Sequence, residues 1–289
     1  TKFAAAGLSP YYLRNFTQFN NVNLTQNSGR AYYDSLQLSL RRQAGSLKFA
    51  VNYTFSKTLD NASVDGGGNT LTLDDYNLKL NRSLSDIDRT HTFNWTTTYT
   101  LPIGRNRLVG GNMPDWADRF IGGWEIGSLG IITTGQPLSI SSGVLTGPNT
   151  VAFGPLATNI GALADFSGTD RNIGGIERFG GGVRYFTAAQ IAQFSVAAPG
   201  SSGSSGRNTF RGPGFFNTDL SLVKKFRVRE GMNATFRAEA YNLFNTVNFN
   251  PPGVNLQTPA TFGIISSTPT GAGNQSGARI LQGALRFDF

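Results

Sequence analysis

The 289 residues hold only 15% charged side chains but 36 glycines and 12% aromatics, which excludes both a charge-rich disordered chain and a helical bundle. With no cysteine there is no disulfide and no thiolate metal site, and no stretch approaches the roughly 20 consecutive apolar residues of a membrane helix. The net charge of +8 raises the question of nucleic acid, and the cations have to be placed before it is answered.

Elements are read from period-two alternation, because successive side chains on a strand point to opposite faces. A strand at 16–25 is weakly indicated. From 34 to 42, Leu36, Leu38 and Leu40 alternate with Ser35, Gln37, Ser39 and Arg41. Gln43-Ala44-Gly45 then makes a tight turn. From 46 to 57, Leu47, Phe49, Val51, Tyr53 and Phe55 alternate with Lys48, Ala50, Asn52, Thr54 and Ser56. Residues 58–88 read as a long loop. From 91 to 101, Phe93, Trp95, Tyr99 and Leu101 oppose a row of threonines with Asn94. A short to medium connection, 102–121, contains a helical turn around Pro114–Phe120.

Residues 122–134 are strand-like but lose the period, so a bulge is expected there. A second long segment, 135–215, holds low-complexity Gly200–Gly206 and one short helix. Thr187 caps that helix, Gln190 returns the reciprocal bond of a capping box, and Ile191 and Phe194 form its apolar stripe. From 217 to 229, Leu220, Leu222, Phe226 and Val228 oppose Asp219, Ser221, Lys225 and Arg227; Arg229-Glu230-Gly231 turns the chain. From 232 to 244, Ala234, Phe236, Ala238 and Ala240 oppose Thr235, Arg237, Glu239 and Tyr241. A third long segment, 245–278, leads to the last strand, in which Leu281, Leu285, Phe287 and Phe289 oppose Gln282, Arg286 and Asp288.

The strands run about 9–13 residues, the length that crosses a bilayer when tilted near 45°, whereas ordinary globular strands cluster at about 5–6. Tight and long connections alternate along the chain, as in outer-membrane barrels with short periplasmic turns and long outer loops. The expected fold is therefore all-β: an antiparallel meander of about 7–8 long transmembrane strands, part of a larger outer-membrane β-barrel. Leu47, Phe49, Val51, Tyr53, Phe55, Phe93, Trp95, Tyr99 and Phe236 are expected to face lipid. Arg237, Glu239, Arg286 and Asp288 should face the lumen, beside Lys225 and Arg227, where they can pair across strands. On this assignment Phe236→Arg should cost roughly 2–4 kcal/mol and Thr235→Arg much less. The chain opens at Thr1 with neither initiator Met nor leader, and reads as a piece of something longer.

Cations gather at Arg41, Arg42 and Lys48, at Arg105 and Arg107, and from Lys224 to Arg229. Each cluster falls at a strand end beside a short turn, not along one helix or groove. They read as a solvated rim facing anionic head groups, with no nucleic-acid partner. His91, the single histidine, has no G-x-S-x-G elbow or other nucleophile to serve and reads as a rim residue. Asp74-Asp75 and Asp86/Asp88 lack the spaced acidic loop of a calcium site. Gly66–Gly68 and Gly180–Gly182 lack a phosphate-loop context. We expect no cofactor, no metal and no enzyme.

Several stretches resemble the C-terminal part of TonB-dependent outer-membrane receptors, particularly the Oar-like group that carries a carboxypeptidase-regulatory-like domain. They are Asn27–Arg30 leading to Tyr33–Leu40, Tyr53–Asp60, Gly122-Gly123-Trp124, Gly135-Gln136-Pro137, Gly212–Asn217 and Phe236–Asn245, spread over roughly 27–289. The resemblance implies a 22-stranded barrel with a plug, driven by TonB. It also implies a terminal signal for the barrel-assembly machinery at Gln282, Ala284, Phe287 and Phe289, although Ala284 stands where the family usually has glycine. No plug and no TonB box are present, so the chain corresponds to the C-terminal third of such a receptor. The implied partners are outer-membrane lipid, the plug domain of the full-length chain, the TonB complex through the missing N-terminal part, and a ligand such as a metal chelate, oligosaccharide or peptide. The alternative is a structural or adhesive surface protein on the same sheet. An all-β secreted enzyme ranks third.

Overall fold

The computed structural model describes residues 27–61, 73, 77–143, 162–198, 201–269 and 277–289. Seven long strands form an antiparallel meander in chain order: β1 (Ala31–Arg42), β2 (Leu47–Asp60), β3 (His91–Thr100), β4 (Trp124–Thr133), β5 (Phe215–Arg229), β6 (Met232–Tyr241) and β7 (Ile280–Asp288). A two-residue strand, Ser83–Leu84, adds to the end of β2. Among the described residues the sheet does not close, and β1 and β7 are its two edges. The candidate strand at 16–25, Gly66–Gly68 and Asp74-Asp75 lie outside the described residues.

Alternation explains the strands, and the turns set their register. Gly45 and Gly231 both sit at φ +77°, a left-handed conformation that costs glycine nothing and lets the chain reverse tightly. From the first turn Leu36, Leu38 and Leu40 pair with Phe55, Tyr53 and Val51. From the second, Leu220, Leu222 and Phe226 pair with Ala240, Ala238 and Ala234. Directly opposed residues share a face, so the pairings propagate across the sheet. Val51 meets Trp95, Trp95 meets Gly130, and Gly130 meets Thr218; Phe236 meets Leu285 and Ala234 meets Phe287. One apolar face therefore runs unbroken from Leu38 to Phe287. The opposite face is polar and carries a side-chain ladder: Ser39 Oγ donates to Asn52 Oδ1 at 2.8 Å, and Asn52 Nδ2 to Asn94 Oδ1 at 3.0 Å.

Among the described residues, no second layer makes a dry core on the apolar face. Leu36, Leu38, Leu40, Phe55, Leu281, Leu285 and Phe287 are all exposed, and Ala234 is the one buried apolar residue among the described strand residues of that face. The buried apolar residues gather instead in the long connections.

Several expectations need correction. The bulge expected in 122–134 is absent: β4 pairs without a register shift on both sides, and the broken period reflects Leu129 and Ile131 on the polar face. The irregularity lies in β5, between Arg227 and Arg229 beside the tight turn. β6 ends at Tyr241, not 244, because Asn242 adopts φ +50° and turns the chain. Arg237, Glu239, Arg286 and Asp288 do share the polar face, but they pair along strands and not across them: Arg237–Glu239 at 3.5 Å and Arg286–Asp288 at 2.7 Å. The register explains this, since Arg237 stands opposite Ala284 and Val223, and Glu239 opposite Gln282 and Ser221. The helix expected at 187 is present (α2, Ala188–Ile191) with both bonds of its capping box, and the helical turn near 114–120 is α1 (Asp115–Ile121).

Gly130 shows how tightly the apolar face is fitted. The Trp95 ring lies where a Cβ on Gly130 would stand, and its Nε1 donates to Ser128 Oγ at 3.2 Å. Gly130→Ala should cost about 1–3 kcal/mol by pushing Trp95 off its seat. The unfolding midpoint should fall, and Trp95 emission should shift with it.

Candidate functional site

The long connections are not the structureless loops their composition suggested. Residues 135–143, 162–198 and 201–214 fold together with 245–269, because each supplies apolar residues that neither can bury alone. Pro137–Leu138 pairs with Phe210–Arg211, Asp165–Phe166 with Phe194–Ser195, and Gly182–Arg184 with both Glu177–Phe179 and Ile264–Ile265. Between them lies a core of Leu138, Ile140, Phe186, Phe194, Phe210, Phe262 and Ile265. Its rings meet edge to face, as Phe194 does Phe210 at 5.3 Å between centroids and Phe166 does Phe210 at 5.1 Å. Arg171 lies over the Phe166 and Phe210 rings and donates to Thr209 Oγ1.

A buried polar clasp ties the end of β2 and residues 77–90 to this cap. Asp60, the last residue of β2, accepts from Arg207 at its carboxylate and its carbonyl. Arg207 also donates to the Asn81 carbonyl at 2.8 Å, and its side chain is only 4% exposed. Asn208, at φ +54°, donates to the Leu84 carbonyl and to Asp86, and exchanges bonds with Ser139. Four residues beyond Arg207, Arg211 grips fully buried Asp88 at 2.6 Å and donates to Thr90 Oγ1 and the Gly135 carbonyl. Asp88 accepts a further bond from the Thr58 amide at 2.7 Å. Arg89 beside it is held below its ordinary pKa, first by burial and then by Arg211, with Asp88 opposing. The clasp covers the polar side of β2: Ser56 and Asp60 are buried while Phe55 on the other face is exposed.

This arrangement decides the acidic pair at 86 and 88. Asp86 Oδ1 accepts from Asn208 and faces Arg207 at 3.8 Å, and Asp88 Oδ2 is held by Arg211, so both acids belong to the clasp. His91 lies on the apolar face at the long-loop end. Its Nδ1 is 2.8 Å from Tyr53 Oη, and its ring meets Phe55 at 5.2 Å. Gln282 and Ala284 stand on the polar face, Phe287 on the apolar one. Arg207, Arg211 and Asp60 were not singled out from sequence. The available signal was a pair of arginines four apart in a Gly/Ser-rich stretch, and nothing in it pointed to Asp60, 147 residues away.

Next to the cap core is an open recess of about 510 Å³ lined by Ser167, Thr169, Asp170, Gln190 and Gln193 with Ile173. Tyr185 roofs the core from another side and donates to the Arg211 carbonyl at 2.9 Å; burial raises its pKa. The neutral phenol is thus the folded form. Its contribution is complete below the ordinary tyrosine value of about 10 and drains away as pH rises through the folded pKa. Heating the protein at rising pH should show the cap loosening above about pH 10, and Tyr185→Phe should remove that alkaline step while costing about 0.5–1.5 kcal/mol at neutral pH.

An open antiparallel meander of long strands, with an uncovered apolar face, tight turns at one end and folded loops at the other, defines an outer-membrane β-barrel sheet. The chain belongs to the outer membrane beta barrel domain family, whose model matches residues 2–282. No curated protein and no solved structure matches it. Family membership places the protein in the bacterial outer membrane.

Proposed function

We propose that this sheet is the C-terminal barrel part of a TonB-dependent receptor, which imports a scarce ligand such as a metal chelate, an oligosaccharide or a peptide without chemistry of its own. The observation that carries the reading is the register, which lays a continuous apolar row across all seven strands on a face that no second layer covers among the described residues, with Leu129 and Ile131 the β4 exceptions on the other face. Hydrocarbon meets that face, from Leu47 and Phe93 to Phe236. The polar face, with Arg237, Glu239, Arg286 and Asp288, looks into a lumen that a plug domain and further strands complete. The barrel-assembly machinery reads Gln282, Ala284, Phe287 and Phe289.

The cap stands at the long-loop end, over the polar face, where an arriving ligand is met first. Its recess offers a carboxylate, amides and hydroxyls to a hydroxyl- or amide-bearing ligand. Immobilised periplasmic TonB domain should retain the full-length protein from detergent-extracted outer membrane. Failure of retention, or recovery of the protein in the soluble periplasm, overturns the proposal. A surface-adhesion role draws support from one feature, the aromatic core and buried clasp that make the cap a rigid platform. It predicts the same membrane fraction and no TonB retention.

A further inference from the structure

The connection between β3 and β4 carries a surface that the meander does not require. α1 buries Ala117 and turns Trp116 and Phe120, one helical turn apart, outward at 70% and 67% exposure. Leu108, in the same connection, is 88% exposed, and Ile121 is exposed beside them. Exposed aromatics on a short helix would be a liability in water.

The helix is held on the apolar side of the sheet. Lys224 shares the apolar row with Trp124 and Phe236, and it is buried with its ammonium against the carbonyls of Asp118 and Gly122 at the helix C-terminus. The Trp124 indole donates to the Phe120 carbonyl at 2.9 Å, and its ring meets Phe236 edge on at 6.1 Å. The backbone of the helix carrying Trp116 and Phe120 is thereby tied, through Trp124 and Lys224, to the apolar face.

Its border is cationic. Arg107 and Arg119 are exposed and make no ion pair among the described residues. The acids of the helix are already engaged: Asp115 pairs with Arg105, and Asp118 accepts the Arg105 amide at 2.6 Å.

We propose that α1 is an interfacial anchor that seats Trp116, Phe120 and Leu108 at the head-group boundary of the periplasmic leaflet, with Arg107 and Arg119 on the phosphates of anionic phospholipid. The inference rests on the reading that the apolar face meets lipid. The Trp116 indole suits that depth because it joins an apolar body to a polar N–H, Phe120 and Leu108 add buried apolar area, and basic residues beside them gain from anionic head groups.

The chain has no cysteine, so single labels are clean in it. The full-length protein, cysteine-free elsewhere, is labelled with bimane at Phe120→Cys and reconstituted in phosphatidylethanolamine vesicles with and without phosphatidylglycerol. Brominated lipid should quench the label at a depth of about 5–10 Å into the interface, aqueous iodide should not, and lipid quenching should grow with phosphatidylglycerol. The growth should vanish in Arg107→Gln, Arg119→Gln protein. Iodide quenching equal to that at Asn112→Cys puts the helix in water and overturns the anchor. Protection from both quenchers means that protein covers the helix, which overturns the anchor as well. Lipid quenching indifferent to phosphatidylglycerol overturns the phosphate contact. A label at Leu38→Cys separates the two levels: if it too escapes brominated lipid, the lipid reading of the sheet has failed, and if it alone is quenched, only the anchor has.

Discussion

Arg207→Ala should open the cap at a cost of about 3–5 kcal/mol, because it withdraws the cation from a carboxylate that stays buried. Asp60 sits at the end of β2, 5% exposed, and the guanidinium is the counter-charge that the loop brings to it. The same side chain bonds the carbonyls of Asp60 and Asn81, so its loss also strands backbone acceptors on two elements. The population with the cap open should rise by about two to four orders of magnitude. That rise is read as protease nicking in the 201–211 stretch of otherwise folded protein. Arg207→Lys, which keeps the charge but loses the fork, should fall between. Arg207→Met with Asp60→Leu should recover much of the loss, since replacing a buried pair by apolar residues removes the desolvation cost of both ions. If the single and double variants were equally loose, the clasp would owe its strength to shape and not to charge.

Val51→Arg should cost about 2–4 kcal/mol in a bilayer, the largest effect expected of a single strand residue. Val51 stands between Leu40 and Trp95 near mid-height of the sheet, where an arginine has no head group within reach. Thr54→Arg, turned to the polar face between Gln37 and Thr92, should be tolerated. Denaturant titration of vesicle-folded protein reads both. The pair suggested by alternation alone, Phe236→Arg against Thr235→Arg, is less decisive. Phe236 is level with Trp124 and Lys224 at the short-connection rim, where the cost of a cation falls to about 0–1 kcal/mol. Thr235 is flanked by Lys225 and Arg286, so an arginine there meets two like charges.

The strands were legible because alternation is a local signal: each of Leu36–Leu40, Leu47–Phe55 and Leu281–Phe287 declares its two faces within a few residues. The two glycine turns then carry the register of their hairpins. β4 defeated this reading because Gly127 and Gly130 contribute no side chain to the pattern and Leu129 and Ile131 fall on the polar face. The cap was illegible for a different reason. Phe166, Phe186, Phe210 and Phe262 follow no period and lie near glycines, serines and asparagines that elsewhere mark open loops, while Phe194, expected in the stripe of the short helix, falls beyond the helix and pairs with Phe166. Their burial is created by the two segments meeting, an event no window of sequence contains. The clasp shares that origin, since Arg207 and Arg211 find Asp60 and Asp88 only across the fold.

The face assignment itself is tested most directly by nitroxide labels placed one at a time from Leu47 to Phe55 in the vesicle-folded full-length protein. Collision with oxygen should peak at 47, 49, 51, 53 and 55, and contact with a water-soluble nickel chelate at the residues between. Labels at the odd positions that neither reagent reaches would mean that a dry protein interior, and not hydrocarbon, lies against Val51 and Trp95.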